Sequence, residues 1–554
     1  MKHVLQTKTA LAVPVLALGL ILSACTTPAP TPSSTTSTSS SSAPAVAQTV
    51  KFALQNTPDG IDPTITNNSF ASPIIVNTFE GLVTYSTTDG SLIPGQAERW
   101  DISTDGLTYT FHLRPGLKWS DGTPLTAKDF VYTAQRILTP ATTAQYVNLY
   151  TDYVVGAQEL YDDPTKTDGL GIKATDDNTL VITLKAPTPY FVDILSMWAW
   201  YPVQKATIDA NGEQWTNKAS SYVSNGPFMM TEINLGQSYV MAKNPNYWDA
   251  ANVKLDSLTF QMIPDSTTAL TAFQGGEIQG QYTVPAASIP QLKAADSGLV
   301  VTPAYATTFY DINNKKAPYD NKLVRKALNL AIDRNALIND VLNNGGTPAY
   351  SLVAPGYIVN GKEFSDGRST FGLGPTADAT AAKQALADAG YPDGKGFPTL
   401  QLSYYTNDTA KLMTEAIAAQ LKANLGINVE ISNKDWAVYY DDIKAGNYDV
   451  GAMGWGADYF HPMTFLPLLL TGDANNNVFY SNPAYDKLVQ QAQTETDPAK
   501  AMTLMQQAES LAAEDYPLIP LFFRSNMMMV SPNVKGVYRD VLSNLYFRSA
   551  YVTG

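Results

Sequence analysis

The chain has 554 residues, 44% of them hydrophobic and 16% charged, and a net charge of −14 at neutral pH. That length exceeds what one core supports, so two or three domains of a soluble globular protein are expected. The acidic balance leaves no basic stripe to meet phosphates, which argues against nucleic acid as a partner, and it suits cationic or zwitterionic small ligands.

The N-terminus reads as a signal. Lys2 and Lys8 precede an apolar run from Ala10 to Leu22 that is too short to span a membrane comfortably and is broken by Pro14 and Gly19. The run ends in Leu22-Ser23-Ala24-Cys25, and Cys25 is the only cysteine, so no disulfide within the chain is possible. This ending resembles the lipobox of bacterial lipoproteins, which implies a signal peptide over 1–24 and acylation of Cys25. Ordinary cleavage nearby is the alternative. Residues 26–48 are almost all Ser, Thr, Pro and Ala and cannot form a core. They read as a tether reaching roughly 25–30 Å r.m.s..

Past the tether, Val50 to Leu54 alternates like a first strand and runs into the turn signals Pro58-Asp59-Gly60 and Asp62-Pro63. Ile74 to Val83 is a helical or mixed apolar segment. Leu107, Tyr109, Phe111 and Leu113 alternate with polar residues, which predicts a half-buried strand. His112 falls on its polar face and reads as solvated. Thr126 with Asp129 forms a capping box, and Phe130, Val131, Ala134, Ile137 and Leu138 make the buried stripe of the helix that follows. Leu323, Val324, Ala327, Leu328, Ala331 and Ile332 predict a helix starting after Asp320 and stopping before Gly345-Gly346. Leu412, Met413, Ala416, Ile417 and Leu421 predict another, closed by Gly426. Ile427, Val429 and Ile431 then alternate as a strand. A helix feeding a strand through a glycine is an α/β unit. Ala501 to Ala513 reads as an amphipathic helix, and Pro517 to Phe523 as a buried extended run.

Gly454-Trp455-Gly456-Ala457-Asp458-Tyr459 is the stretch with the most chemistry. It offers one carboxylate, two aromatics, and glycines that admit a second backbone. A carboxylate among aromatic rings is poorly hydrated and favours a cation such as a ligand ammonium. The alternative is a turn in which Asp458 caps its own backbone. Catalytic signals are missing: there is no Gly-x-Ser-x-Gly and no His-Glu-x-x-His. Asp176-Asp177 and Asp441-Asp442 read as solvated turns. His112 and His461, the two histidines past the signal, make no convincing zinc or nickel site. No metal and no cofactor are expected.

Several motifs carry a resemblance. Gln96-Ala97-Glu98-Arg99-Trp100, Asp105 to Arg114, and Lys118-Trp119-Ser120-Asp121-Gly122-Thr123-Pro124 resemble the signature of the bacterial family 5 extracellular solute-binding proteins. Asn225-Gly226-Pro227-Phe228, Lys243 to Trp248, Gly275 to Ile278, Asn313 to Asp320 and Val324 to Arg334 are similar to further motifs of that family. The resemblance implies an α/β, two-lobe periplasmic-binding-protein-like fold (type II, cluster C). Lobe I would combine 49–69, 190–304 and 524–554, an extra subdomain 70–189, and lobe II 305–523. The hinge would lie near Thr307 to Tyr310 and near Phe522 to Arg524. It also implies a monomeric, non-enzymatic binding protein of an ABC transporter. That protein would be lipid-anchored at the outer face of the cytoplasmic membrane and would deliver oligopeptides to permease subunits driven by cytoplasmic ATPases.

By the same resemblance, Asp458 pairs with a peptide's α-ammonium and the backbone near Gly456 bonds the peptide main chain. Trp436 would line a pocket or pack in the core, two readings that stay open. Trp455 and Tyr459 would be walls, and His461 a polar rim residue. Some relatives place an arginine six residues before the aspartate to fix a ligand carboxylate. Here that residue is Ala452, so peptides with a solvated end are expected. Two alternatives remain: the same fold binding an oligosaccharide or another solute, and a secreted peptidase or other hydrolase.

Overall fold

The structure of the chain, a computed structural model, describes residues 46–87 and 90–554. The signal segment 1–24, Cys25 and the tether as far as residue 45 lie outside the described residues. Val46–Gly554 form one compact unit. The last residue assigned to the tether belongs to this body. Gln48 Nε2 donates to the Val552 carbonyl at 3.0 Å and its Oε1 accepts from the Val552 N–H at 3.0 Å.

Strand β1 (Thr49–Leu54) opens the fold, with Val50, Phe52 and Leu54 buried. A small antiparallel sheet follows, formed by β2 (Ala97–Ile102), β3 (Thr108–Leu113), β4 (Ile172–Asp176) and β5 (Thr179–Thr183) in the order β2-β3-β5-β4. The alternation expected in β3 is present, with Tyr109, Phe111 and Leu113 inward. His112 on the other face pairs with Asp101 at 2.8 Å. Helix α1 (Ala127–Ile137) packs on β4 and β5, and its capping box is complete: Asp129 Oδ2 accepts from the Thr126 N–H at 2.8 Å.

Nine further strands, with β1, form the main path of the large sheet. They are β6 (Phe228–Asn234), β7 (Ser238–Lys243), β8 (Ser257–Met262), β9 (Gly280–Gln281), β10 (Leu299–Ile312), β11 (Leu400–Tyr405), β12 (Val429–Lys434), β13 (Val450–Gly456) and β14 (Leu518–Val530). With β1 they run in the order β12-β11-β13-β10-β14-β9-β1-β8-β7-β6. Strands β10 and β14 are the long central pair. They are antiparallel to each other, with β13 beyond β10 and β9 beyond β14. One large buried cluster surrounds β1, β8 and the small sheet. A second lies around α2 (Lys322–Leu330), α3 (Asp408–Leu425) and β11, and it includes Leu328, Ile417, Leu402 and Ala452. Beyond β13, α4 (Trp436–Ala445) lies on one side in sequence, and α5 (Pro483–Thr494) and α6 (Pro498–Asp515) on the other.

Three expectations need correction. The helix after Asp320 does not continue to Gly345: α2 ends at Leu330, and a separate turn of helix covers Ala336–Leu342. Buried Arg334 occupies the break. Its guanidinium takes carbonyls of Asn329 and Ile332 and, from Nε, those of Ala349 and Pro520 at 2.9 Å. Ending the helix leaves carbonyls free, and the arginine consumes them. Leu412 is 49% exposed rather than buried, because α3 turns Met413, Ile417 and Leu421 inward. Asp441 and Asp442 lie within α4, not in a turn, and pair with Lys444 and Lys434. β12 is a strand as expected and lies at the sheet edge, with Ile431 exposed.

The loop from Asp62 to Ser69 borders the site described below, and a buried ion pair holds it. Arg136 of α1 donates from Nη2 to Asp62 Oδ2 at 3.1 Å and from Nε to Thr64 Oγ1 at 3.0 Å. Trp215 Nε1 adds a bond to Asp62 Oδ2 at 2.7 Å. Glu213 also pairs with Arg136 but stays largely exposed. Removing the acid leaves a buried cation whose one remaining carboxylate, among the described residues, is that of Glu213. Asp62→Ala is therefore expected to cost about 3 kcal/mol in urea unfolding, near the low end for a broken buried pair because Glu213 remains.

Candidate functional site

Strand β13 carries the site. It is antiparallel to β10 over Val450–Gly456, and Ala457 N–H still bonds the Tyr305 carbonyl at 3.0 Å. Antiparallel pairing alternates, so Met453 and Trp455 turn their backbone groups toward β10 while Gly454 and Gly456 turn theirs away. On that far side β11 pairs only with Val450 and Gly451. Tyr439 Oη then donates to the Ala452 carbonyl at 2.9 Å. From Gly454 to Gly456 the outer edge has no partner strand among the described residues. At Gly456 a Cβ would meet open space.

Past the strand, the chain turns and presents Asp458. Its N–H donates to Thr464 Oγ1 at 3.0 Å, and Trp455 Nε1 donates to the same oxygen at 3.3 Å. Among the described residues no backbone N–H donates to the Asp458 carboxylate, so this aspartate does not cap its own turn. The one protein group bonded to the carboxylate is Tyr146 Oη, donating to Oδ1 over 3.4 Å. No cation lies within 4 Å of it among the described residues. Asp458 is half-buried, and it lines a cavity of about 470 Å³. Burial raises its pKa to about 6, against a small opposing pull from Tyr146. At neutral pH it is mainly ionised.

The cavity is polar and collects residues from distant parts of the chain. Asn67 and Ser69 come from the loop after Asp62, and Tyr146 and Trp198 form a side. Gly456, Ala457 and Asp458 follow from β13, and Arg524 and Arg539 lie toward the C-terminus. Trp198 is held by Nε1 donating to the Thr66 carbonyl at 2.8 Å, and its ring meets Tyr146 edge-on. A second cavity of about 280 Å³ lies alongside, lined by Tyr405, Met413, Ala452, Met453 and Phe522 and sharing Arg524.

The expected site residues separate under this geometry. Asp458 and Gly456 line the cavity. Trp455 and Tyr459 do not; they brace the turn from behind, Trp455 through Thr464 and Tyr459 by stacking on Tyr190 at 5.9 Å. Trp436 is not core: it is 52% exposed at the start of α4. It stacks on Tyr440 at 5.2 Å and meets Tyr405, which lines the second cavity, edge-on at 5.3 Å. His461 is not a rim residue. It is buried, stacks on Tyr190 at 4.8 Å, meets Tyr357 edge-on, and accepts from the Met463 N–H at Nδ1. Burial among rings pushes its pKa down to about 3. Tyr146, Thr464, Arg524 and Arg539 were not identified from sequence as site residues. Among the described residues no cluster of three His, Cys, Asp or Glu side chains could hold a metal ion, and no helix is long and apolar enough to cross a membrane.

Residues 91–477 match the model of the bacterial extracellular solute-binding proteins, family 5. The chain belongs to this family. Family 5 consists of solute-binding proteins that work outside the cell membrane. The chain is 35% identical to the oligopeptide-binding protein OppA of Bacillus subtilis, covering 91% of this chain and 92% of that one. It is also 35% identical to the periplasmic OppA of Salmonella typhimurium, over 86% and 87% of the two chains. Among solved structures, Haemophilus influenzae OppA in complex with RPPGFSPFR superposes with a TM-score of 0.74 at 33% identity, covering 92% of this chain and 99% of the other. The unliganded open form of the periplasmic murein tripeptide-binding protein MppA gives 0.77 at 31% identity, over 92% and 98%. The fold is thus the mixed α/β, two-lobe architecture of this family.

A buried neutral histidine links stability to pH. The unfolded chain takes up a proton on His461 below about pH 6.5, whereas the folded protein resists it down to about 3. Its contribution is therefore present above about 6.5 and lost as pH falls. The Tm advantage of the wild type over His461→Gln is expected to shrink from pH 7 to pH 5 in scanning calorimetry. A constant difference would mean that the imidazole titrates normally.

Proposed function

We propose that this protein captures short peptides in the cavity beside β13 and delivers them to the membrane subunits of an ABC importer. The observation that carries this reading is the Asp458 carboxylate: ionised, half-buried, facing a cavity, and without a cation among the described residues. An α-ammonium answers that charge. The unpaired backbone edge of Gly454 and Gly456 supports it, since a peptide laid along an open edge bonds by its main chain whatever its side chains. The relatives named for oligopeptide binding support it from a separate direction. Two lobes, divided by 49–69, 190–304 and 524–554 against 305–523, would close on the peptide with β10 and β14 as the crossings. The ligand favours closure through contacts made only in the closed state. Acylation at Cys25 would hold the protein at the outer membrane face as a monomer, with no catalytic role.

Asp458→Asn is expected to lower the affinity for a tripeptide by about two to three and a half decades in titration calorimetry. N-acetylating the peptide should cost the wild type a similar amount and the variant nothing. Unchanged peptide affinity in Asp458→Asn would remove the ammonium from the account. Retained binding of a neutral oligosaccharide would then point to sugar.

The pairing also sets a pH window. The carboxyl titrates at about 6 in the unoccupied site, and only its ionised form pairs with an ammonium. Affinity is full above that pH and is lost as pH falls through it, by about tenfold between pH 7 and pH 5. Asp458→Asn should show a flat profile over the same range.

A further inference from the structure

Arg524 is the second uncommitted charge in the cleft. It lies on β14 opposite an irregularity in β10: Pro303 pairs with Ser525 and Thr307 with Phe523, so Ala304, Tyr305 and Ala306 together face Arg524. Such bulges re-aim side chains beside functional sites. The arginine reaches across β10 to β13. Its Nε donates to Thr308 Oγ1 at 2.8 Å, and a Cβ on Gly454 would fall 2.0 Å from Nη2. Gly454 is thus the space the guanidinium occupies.

That hydrogen bond is the only one Arg524 makes among the described residues, and no carboxylate lies within 4 Å of it. The side chain is solvent-exposed, and both cavities share it. Arg539, the other arginine on the first cavity, is already engaged. It stacks on Tyr282 at 3.7 Å and donates from Nη1 to the carbonyls of Tyr282 and Met527 at 3.1 Å. One arginine in the cleft is therefore committed to structure, and the other presents free donors. A guanidinium presents two parallel N–H groups that match a carboxylate.

Building on Asp458 as the ammonium partner, we infer that Arg524 binds a ligand carboxylate and gives the site a second, opposite anchor. The carboxylate is the C-terminus of a short peptide or an acidic side chain of a longer one. Arg524 supplies what Ala452 does not, from a different strand.

Titration calorimetry with trialanine, its C-terminal amide and its N-acetyl form separates the two anchors. Amidation is expected to cost the wild type about tenfold to a hundredfold in affinity and to cost Arg524→Gln nothing. Gly454→Ala, which displaces the guanidinium without removing its charge, should also erase the discrimination. It also covers the case in which Arg524→Gln fails to fold. Amidated tetrapeptides with Glu or Gln in third place test the side-chain source. A preference for Glu that disappears in Arg524→Gln supports the anchor with that source. If N-acetylation weakens wild-type binding but neither amidation nor the Glu-to-Gln exchange does, the Arg524 inference falls and the Asp458 reading stands. If discrimination between acid and amide persists in Arg524→Gln, another group holds the carboxylate and the inference is overturned. If amidation matters and N-acetylation does not, Arg524 stands and the Asp458 reading fails.

Discussion

Asp458 holds a negative charge where the protein supplies almost nothing to balance it. A carboxylate walled by protein ordinarily finds a cation or several N–H donors, and failing that it takes up a proton. Here a single long bond from Tyr146 is the whole answer among the described residues. Burial raises the pKa only to about 6, so the charge survives at neutral pH. The cavity is the reason: it has room and polar walls for water, which keeps the charged form tolerable until a better partner arrives. Much of the surrounding structure keeps the carboxylate still while leaving it unsatisfied. Thr464 pins the turn by accepting from both Asp458 and Trp455. Tyr190 lies between Tyr459 and His461 and anchors the residues just after it.

The main sheet explains why the site lies where it does. β10 and β14 are long enough to serve both halves of the fold, and β13 joins them where the cavity opens. The regular strands supply rigidity and an open backbone edge. The charged and polar groups come from departures from regularity: the turn after Gly456, the loop of Asn67 and Ser69, and the irregular pairing opposite Arg524. This division is general, because binding groups concentrate on irregular segments held by a rigid scaffold. Gly454 is a compact instance. Its missing side chain leaves the volume filled by an arginine from two strands away.

Local elements were well read from sequence where one rule governed them. The alternation in β3, the Thr126–Asp129 box, the glycine closure of α3 and the buried run into β14 depend on neighbours in the chain. Misreadings arose where a distant group intervened. The break after α2 depends on Arg334 reaching the carbonyls of Ala349 and Pro520. Periodicity in α2 gives no hint of that. His461 reads as polar by type, yet two tyrosines from other parts of the chain enclose it. Trp436, equally compatible with core or pocket, stands instead at the exposed end of a row of rings.

The sequence alone determined the family, the α/β class, and the one acidic residue in a glycine- and aromatic-rich stretch that merits attention. These follow from local periodicity, turn chemistry and motif order, all written in consecutive residues. Only the tertiary structure decided that Asp458 has no cation beside it among the described residues, that Trp455 and Tyr459 brace the turn, and that Arg524 stands over Gly454. Those facts concern charge balance and shared volume between residues separated by tens to hundreds of positions. A chain read in order carries no record of such distances until it is folded.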